Sequence, residues 1–231
     1  IRGLVEKACW WPGQTVPDYN SPASAAWYSA RAGASGFILE QARLTSDLET
    51  IKRVTGKDDA RVLSDELNIA CMAGASRRFG TWWGEGIYRW VPDRYWKDSM
   101  VHFAERGAQY LGFWIEGGEA MKDPNLSFYQ QVLKSLPDLV SAVKNATPQS
   151  RKASTVLLIP NGYVLGLAGS AAETPWGILD FPEGKALTEA VIAKASDLMD
   201  RGITFDIAVE DPDHPTPPGD YEQVIRFPAH D

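Results

Sequence analysis

The sequence predicts a parallel α/β fold, with a partial or complete (β/α) barrel over most of its length, on three observations. Short apolar runs alternate with amphipathic stretches at a spacing of about thirty residues, the rhythm of strand–helix units. Parallel neighbours cannot be joined by tight turns, so each helix crosses back over the sheet. An acidic residue also follows five successive runs: Glu6, Glu40, Glu66, Glu85 and Glu116. In a closed barrel such strand ends converge on one mouth, where barrel enzymes place their chemistry, so the series favours a barrel over an open sheet.

Residues 3–9 (GLVEKAC) form the first predicted strand and carry Glu6. The loop after it, WWPGQTVPDYNSP, holds Trp10, Trp11 and Tyr19. Loops that follow barrel strands carry function more often than those at the opposite end. Ser21-Pro22 opens an Ala-rich helix through Ala32, with proline suited to a first helical position. Gly36 to Leu39 is the next strand, ending on Glu40-Gln41. The following helix begins near Thr45-Ser46, sets Leu48, Ile51 and Val54 on one face, and ends at Gly56. Arg61-Val62-Leu63-Ser64 predicts a third strand, tipped by Asp65-Glu66 as helix caps, before a small-residue helix from Asn68 to Phe79.

Thr81-Trp82-Trp83-Gly84 predicts a fourth strand that delivers Glu85 at its end. Pro92-Asp93 opens a helix with Trp96, Met100 and Phe103 at i, i+4 and i+7, and Gly107 stops it. Tyr110 to Ile115 is the fifth strand and delivers Glu116. An amphipathic helix from Leu126 to Val143 leads into a polar break at 145–152, where the composition changes. This places a domain boundary between 1–148 and 153–231. Beyond it come a fully apolar strand, Thr155 to Pro160, and a Gly-rich loop to about Gly184. A helix from Leu187 to Met199 ends at Arg201-Gly202. A strand from Phe205 to Val209 is tipped by Glu210-Asp211, and a last strand spans Tyr221 to Ile225. Asp211-Pro212-Asp213-His214 reads as a polar loop.

A chain of 231 residues, 44% of them apolar, can bury a sizeable core. Its net charge of −7 argues against a general binder of nucleic acid or anionic membranes, which need basic surface. No apolar run approaches the ~20 residues of a membrane-spanning helix. Cys9 and Cys71 match no metal spacing and no CxxC pattern, so buried thiols are expected rather than a disulfide framework. Three isolated histidines offer no metal cluster, and no cofactor is expected. Nine tryptophans are many. Clustered beside Gly and Glu, they point to aromatic faces that stack on sugar rings, with Trp10, Trp11, Trp82, Trp83 and Trp114 as the candidates.

With these residues laid out, the chain resembles a known group. TVLLIPNGYV, then a helix, RGITFDIAVED and DYEQVIRFPA together resemble the amidotransferase-like, flavodoxin-like domain that follows the barrel in family 42 β-galactosidases. GTWWGEG and GAQYLGFWIEGG look like the last two strands of a clan A glycosidase barrel. The resemblance implies a glycoside hydrolase acting on a β-linked oligo- or polysaccharide. It also implies a chain that starts inside the barrel and breaks off early in the second domain. Its partners would be a carbohydrate substrate, with further copies of the chain or a missing remainder of it.

The family sets its acid/base on strand four and its nucleophile on strand seven. Counting GAQYLGFWIE as strand eight gives Glu85 as nucleophile and Glu6 as acid/base, although Val5 stands where the family has Asn. Counting TVLLIP as strand eight gives the pair Glu40 and Glu116. A third count takes all eight runs as one compact barrel. In the retaining mechanism one carboxylate attacks the anomeric carbon and the other protonates the leaving oxygen, the two lying roughly 5 Å apart; about 6.5–9.5 Å predicts inversion. Apolar walls such as Trp82, Trp83, Phe113 and Trp114 would raise the pKa of the acid by desolvation. The rival reading is a non-catalytic carbohydrate-binding or structural protein on a glycosidase-like fold.

Overall fold

The computed structural model describes residues 25–40, 48–58, 60–88, 93–114, 126–145, 153–163, 165, 182–217 and 219–228. They form a mixed α/β structure with two separate three-stranded parallel sheets and, among the described residues, no closed barrel. The first half contributes α1 (Ala25–Arg31), β1 (Gly36–Glu40), α2 (Leu48–Thr55), α3 (Arg61–Phe79), β2 (Trp82–Tyr88), α4 (Asp93–Glu105), β3 (Tyr110–Trp114) and α5 (Leu126–Asn145). The second contributes β4 (Thr155–Pro160), α6 (Pro182–Asp200), β5 (Phe205–Glu210) and β6 (Gln223–Arg226). The first sheet is ordered β1-β2-β3 and the second β5-β4-β6. The predicted strand at 3–9 lies outside the described residues.

Most predicted elements form where periodicity placed them. Trp96, Met100 and Phe103 are buried along one face of α4, and Leu187, Val191 and Leu198 along one face of α6. Gly56, Gly80, Gly107 and Gly202 follow α2, α3, α4 and α6 with positive φ, the conformation in which glycine ends a helix without strain.

The strand expected at Arg61 to Ser64 is instead the start of α3. A short apolar run does not tell a strand from a buried helix, and this one continues without a break into a helix buried on every side: of residues 61–75 only Val62 is exposed. Asp65 and Glu66 therefore lie past the first turn of a helix, not at a strand tip.

α3 is the element on which the packing turns. β5 is an edge strand, and an open edge exposes unpaired backbone groups. α3 covers it with small residues: a Cβ on Gly74 would overlap the carbonyl oxygen of Ile207. Arg106 Nη2 donates to the carbonyl of Phe205 on the same strand at 2.9 Å. One hydrophobic core thus joins Phe37, Trp83 and Phe103 with Val156, Leu157, Phe205 and Ile207. The two sheets fall on either side of the break between 148 and 153; the core continues across it.

Candidate functional site

Alternation along the first sheet gives it two unlike faces. Phe37, Trp83, Glu85, Leu111 and Phe113 share one, in parallel register across β1, β2 and β3. Helices cover it. Phe37 and Trp83 pack in the same cluster as Phe103 of α4, and Phe113 meets Trp96 edge-on at 5.3 Å. Glu85 is the fourth of seven residues in β2 and only 1% exposed. The expectation that it tips a strand is corrected: the strand runs on through Gly86-Ile87-Tyr88. Trp83 likewise belongs to the core rather than to a sugar-facing wall.

The other face is paved with glycine. Gly36 pairs with Trp82, Ile38 with Gly84 and Gly84 with Tyr110, while Gly86 stands in register with both Glu40 and Gly112. Each glycine has a use. The indole of Trp82 occupies the space a Cβ on Gly36 would need. A Cβ on Gly84 would overlap the Tyr110 carbonyl, so glycine permits the close approach of β2 and β3. Trp82 opens β2 and therefore packs at the amino end of the sheet, away from the carboxyl end where barrel strands present ligand-contacting groups. Glu40 closes β1 and Trp114 closes β3, both at the carboxyl end, with Trp114 in register with Tyr88. Glu6, Trp10, Trp11 and Glu116 lie outside the described residues.

With residues 61–64 helical, the strand count changes. β1, β2 and β3 are immediate neighbours, so Glu40 and the run leading to Glu116 stand two strands apart, not three. By the same count, only two strand steps separate the run at 3–9 from β2, so the pairing of Glu6 with Glu85 also loses its strand-four-to-seven spacing.

Two buried polar clusters went unread in the sequence. Glu66, expected at a strand tip, accepts from His102 Nε2 at 2.7 Å and forms an ion pair with Arg106. Arg106 also lies 3.5 Å from Asp206, whose other oxygen meets Arg77 at 2.9 Å and the Tyr221 hydroxyl at 2.8 Å. Burial raises the pKa of Asp206 above the usual carboxylate range, and Arg77, Tyr221 and Arg106 only partly offset it. The free thiol of Cys71 is buried, and its pKa is raised by that burial and by Asp206. A run such as RVLSDELN gives no hint that its Glu waits for an Arg forty residues on; only the fold joins them.

The second cluster gathers at the carboxyl end of β5, where the polar loop was expected. The fully buried carboxylate of Asp211 accepts from Trp27 Nε1 at 3.3 Å and the Asp213 amide at 3.0 Å. Arg31 Nη1 stands 3.1 Å away and His214 Nδ1 3.4 Å. Burial alone would raise its pKa; these donors and cations outweigh it and hold the group below the ordinary range. Tyr28 of α1 adds a clamp on the turn after β4, donating to the Tyr163 carbonyl at 3.0 Å and accepting from the Gly162 amide at 2.9 Å. The acid directly after the apolar strand FDIAVE was the available signal.

No His, Cys, Asp and Glu grouping among the described residues could hold a metal ion. None of the described helices is long and apolar enough to cross a membrane. Comparison with protein families, with curated proteins and with solved structures finds no match.

Proposed function

We propose that the protein is a carbohydrate-active hydrolase of barrel type, working at the carboxyl end of its first sheet with Glu40 and Glu116 as the carboxylate pair. The observation that carries this reading is the row Glu40–Gly86–Gly112. It sets an acidic residue at the carboxyl end of a parallel strand, in register with glycine on each of the two strands that follow. The order β1-β2-β3, each strand laid beside the last, supports barrel-like winding. The order β5-β4-β6 supports the flavodoxin-like, amidotransferase-like reading of the second half, since that fold begins 2-1-3. One carboxyl group protonates the glycosidic oxygen and the other attacks the anomeric carbon or activates water, as their separation dictates.

A second reading, a carbohydrate-binding protein without hydrolysis, is favoured by one observation: Glu85 is sealed on the helix-covered face. A panel of 4-nitrophenyl glycosides, run beside calorimetric sugar binding, separates the two. On the first reading Glu40→Gln and Glu116→Gln each lower turnover by about 10²–10⁴-fold while binding survives. Binding without turnover in the unsubstituted protein establishes the second. Absence of both removes carbohydrate as the ligand.

A further inference from the structure

The two edges of the second sheet are finished differently. α3 lies over β5, whereas β6, at the opposite edge, packs chiefly on β4 and leaves three of its four residues exposed. One face of the β6 segment is committed: Tyr221, Ile225 and Phe227 pack against the core. Glu222, Val224 and Arg226 alternate with them and are all exposed, Val224 by 41%. The backbone alternates too. The amides of Gln223 and Phe227 donate to the carbonyls of Ser154 and Leu158, at 3.0 and 2.9 Å. Neighbouring peptide groups of a strand point to opposite sides, so the N–H and C=O of Val224 and Arg226 turn to the open edge. Such an edge is a template for a further strand.

The charges on this edge select the strand. Glu222 makes no ion pair among the described residues. Arg226 meets Glu210 through Nε, which leaves its two terminal nitrogens for another acceptor. Glu222 and Arg226 share a face and stand equally far from Val224 on either side. A parallel, in-register copy would set each against its own kind. About a twofold axis at Val224 each meets the other, Val224 faces its own copy, and the outward peptide groups of the two Val224 residues exchange hydrogen bonds. We propose that β6 is a homodimer interface, in which two copies of this chain pair antiparallel through β6 about that axis and join their three-stranded second sheets into one. Such a contact is isologous and closes on itself, so both open edges are used up and no fibre follows. It lies on the other sheet from Glu40 and does not depend on a carbohydrate ligand.

Sedimentation equilibrium of the whole chain tests this, over about 5 to 500 μM because an interface of two short strands is small and its association weak. The unsubstituted protein should pass from monomer to dimer within that range and go no further. Val224→Pro removes an N–H that faces outward, and proline is tolerated on an edge strand. That variant should remain a monomer throughout, with its thermal midpoint in dilute solution unchanged. Glu222→Arg and Arg226→Glu should each weaken self-association at least ~10-fold by setting like charges opposite one another. Mixed in equal amounts, these two variants should dimerise again, since each then faces the opposite sign. A monomer across the whole range overturns the interface. So does a dimer that both charge reversals leave intact, or a pair of reversed chains that stay apart when mixed; the edge is then covered by something other than an antiparallel second copy.

Discussion

β4, central in the second sheet, buries all six of its residues, whereas β2, central in the first, sets Trp83 and Glu85 under helices and turns Gly84 and Gly86 the other way. Both are parallel strands of similar length flanked by one neighbour on each side. The difference lies in what their side chains are for. The polar groups around the second sheet are spent on one another: Asp206 on Arg77, Arg106 and Tyr221, and Asp211 on Trp27, Arg31 and His214. Charges paired in this way, once buried, hold a fold together. The first sheet leaves Tyr110 44% exposed at the amino end of β3. The second sheet is thus tied by ion pairs and hydrogen bonds around its strands, and the first by apolar packing on one face and close backbone approach on the other.

That contrast breaks most visibly at Arg106, which stands just past the end of α4 and pairs with acids on α3 and β5. Arg106→Ala leaves Glu66 and Asp206 buried with one cation fewer. We expect a loss of about 3–5 kcal/mol, read as a lower denaturant midpoint. Pairing Arg106→Met with Glu66→Leu should restore much of it, because apolar replacements of matched volume spare the desolvation cost. A single variant that unfolds no more easily than the unsubstituted protein would break the scaffold reading. Gly74→Val comes next. Its side chain would enter the Ile207 carbonyl, and backbone on both sides has nowhere to go; about 3 kcal/mol is expected, the upper end of overpacking costs. Gly112→Ala on the first sheet displaces only a half-exposed phenol and should cost far less, which is the contrast in its sharpest form.

How much of this was legible depended on the range over which the signal acts. The burial of Trp96, Met100 and Phe103, and the glycine stops at 56, 107 and 202, are local facts, legible in spacing and residue type. The strand expected at 61–64 does not form because a short apolar run fits strand and helix alike, and burial on every side of α3 leaves no periodicity to separate them. The two faces of β2 were not legible because Glu85 follows WWG in both a tip and a mid-strand reading, and only register with Leu39 and Leu111 tells them apart. The pairing of Glu66 with Arg106, and of Trp27 with Asp211, joins residues whose proximity exists only after folding.

Acid titration separates the two aspartates that flank this contrast. Asp211 is ionised and held below its ordinary range in the folded chain, so its contribution to stability is present above the unfolded carboxylate pKa and is lost as pH falls through the folded value. Asp206 has the opposite sign: burial raises its pKa, so its contribution is greatest at low pH and declines as pH rises through the folded value. Asp211→Asn should cost about 2 kcal/mol at neutral pH, the worth of hydrogen bonds to a charged acceptor. It should also flatten the acid limb of a plot of unfolding free energy against pH. An equally steep acid limb in the variant would assign acid unfolding to other carboxylates.

The smallest effect should come from the ion pair between Arg226 Nε and Glu210 at 2.9 Å, which spans β6 and β5 across the carboxyl end of β4. Its geometry is as good as that of the buried pairs, but both side chains are more than half exposed. Water and salt screen it, and ordering two long side chains cancels much of the attraction. Glu210→Gln should shift stability by less than ~0.5 kcal/mol, and the shift should vanish in 1 M salt. A loss comparable to that at Arg106 would show that proximity alone, not burial, sets the strength of these pairs. The distinction between buried pairs that hold the second sheet and exposed pairs that add little would then lose its physical basis.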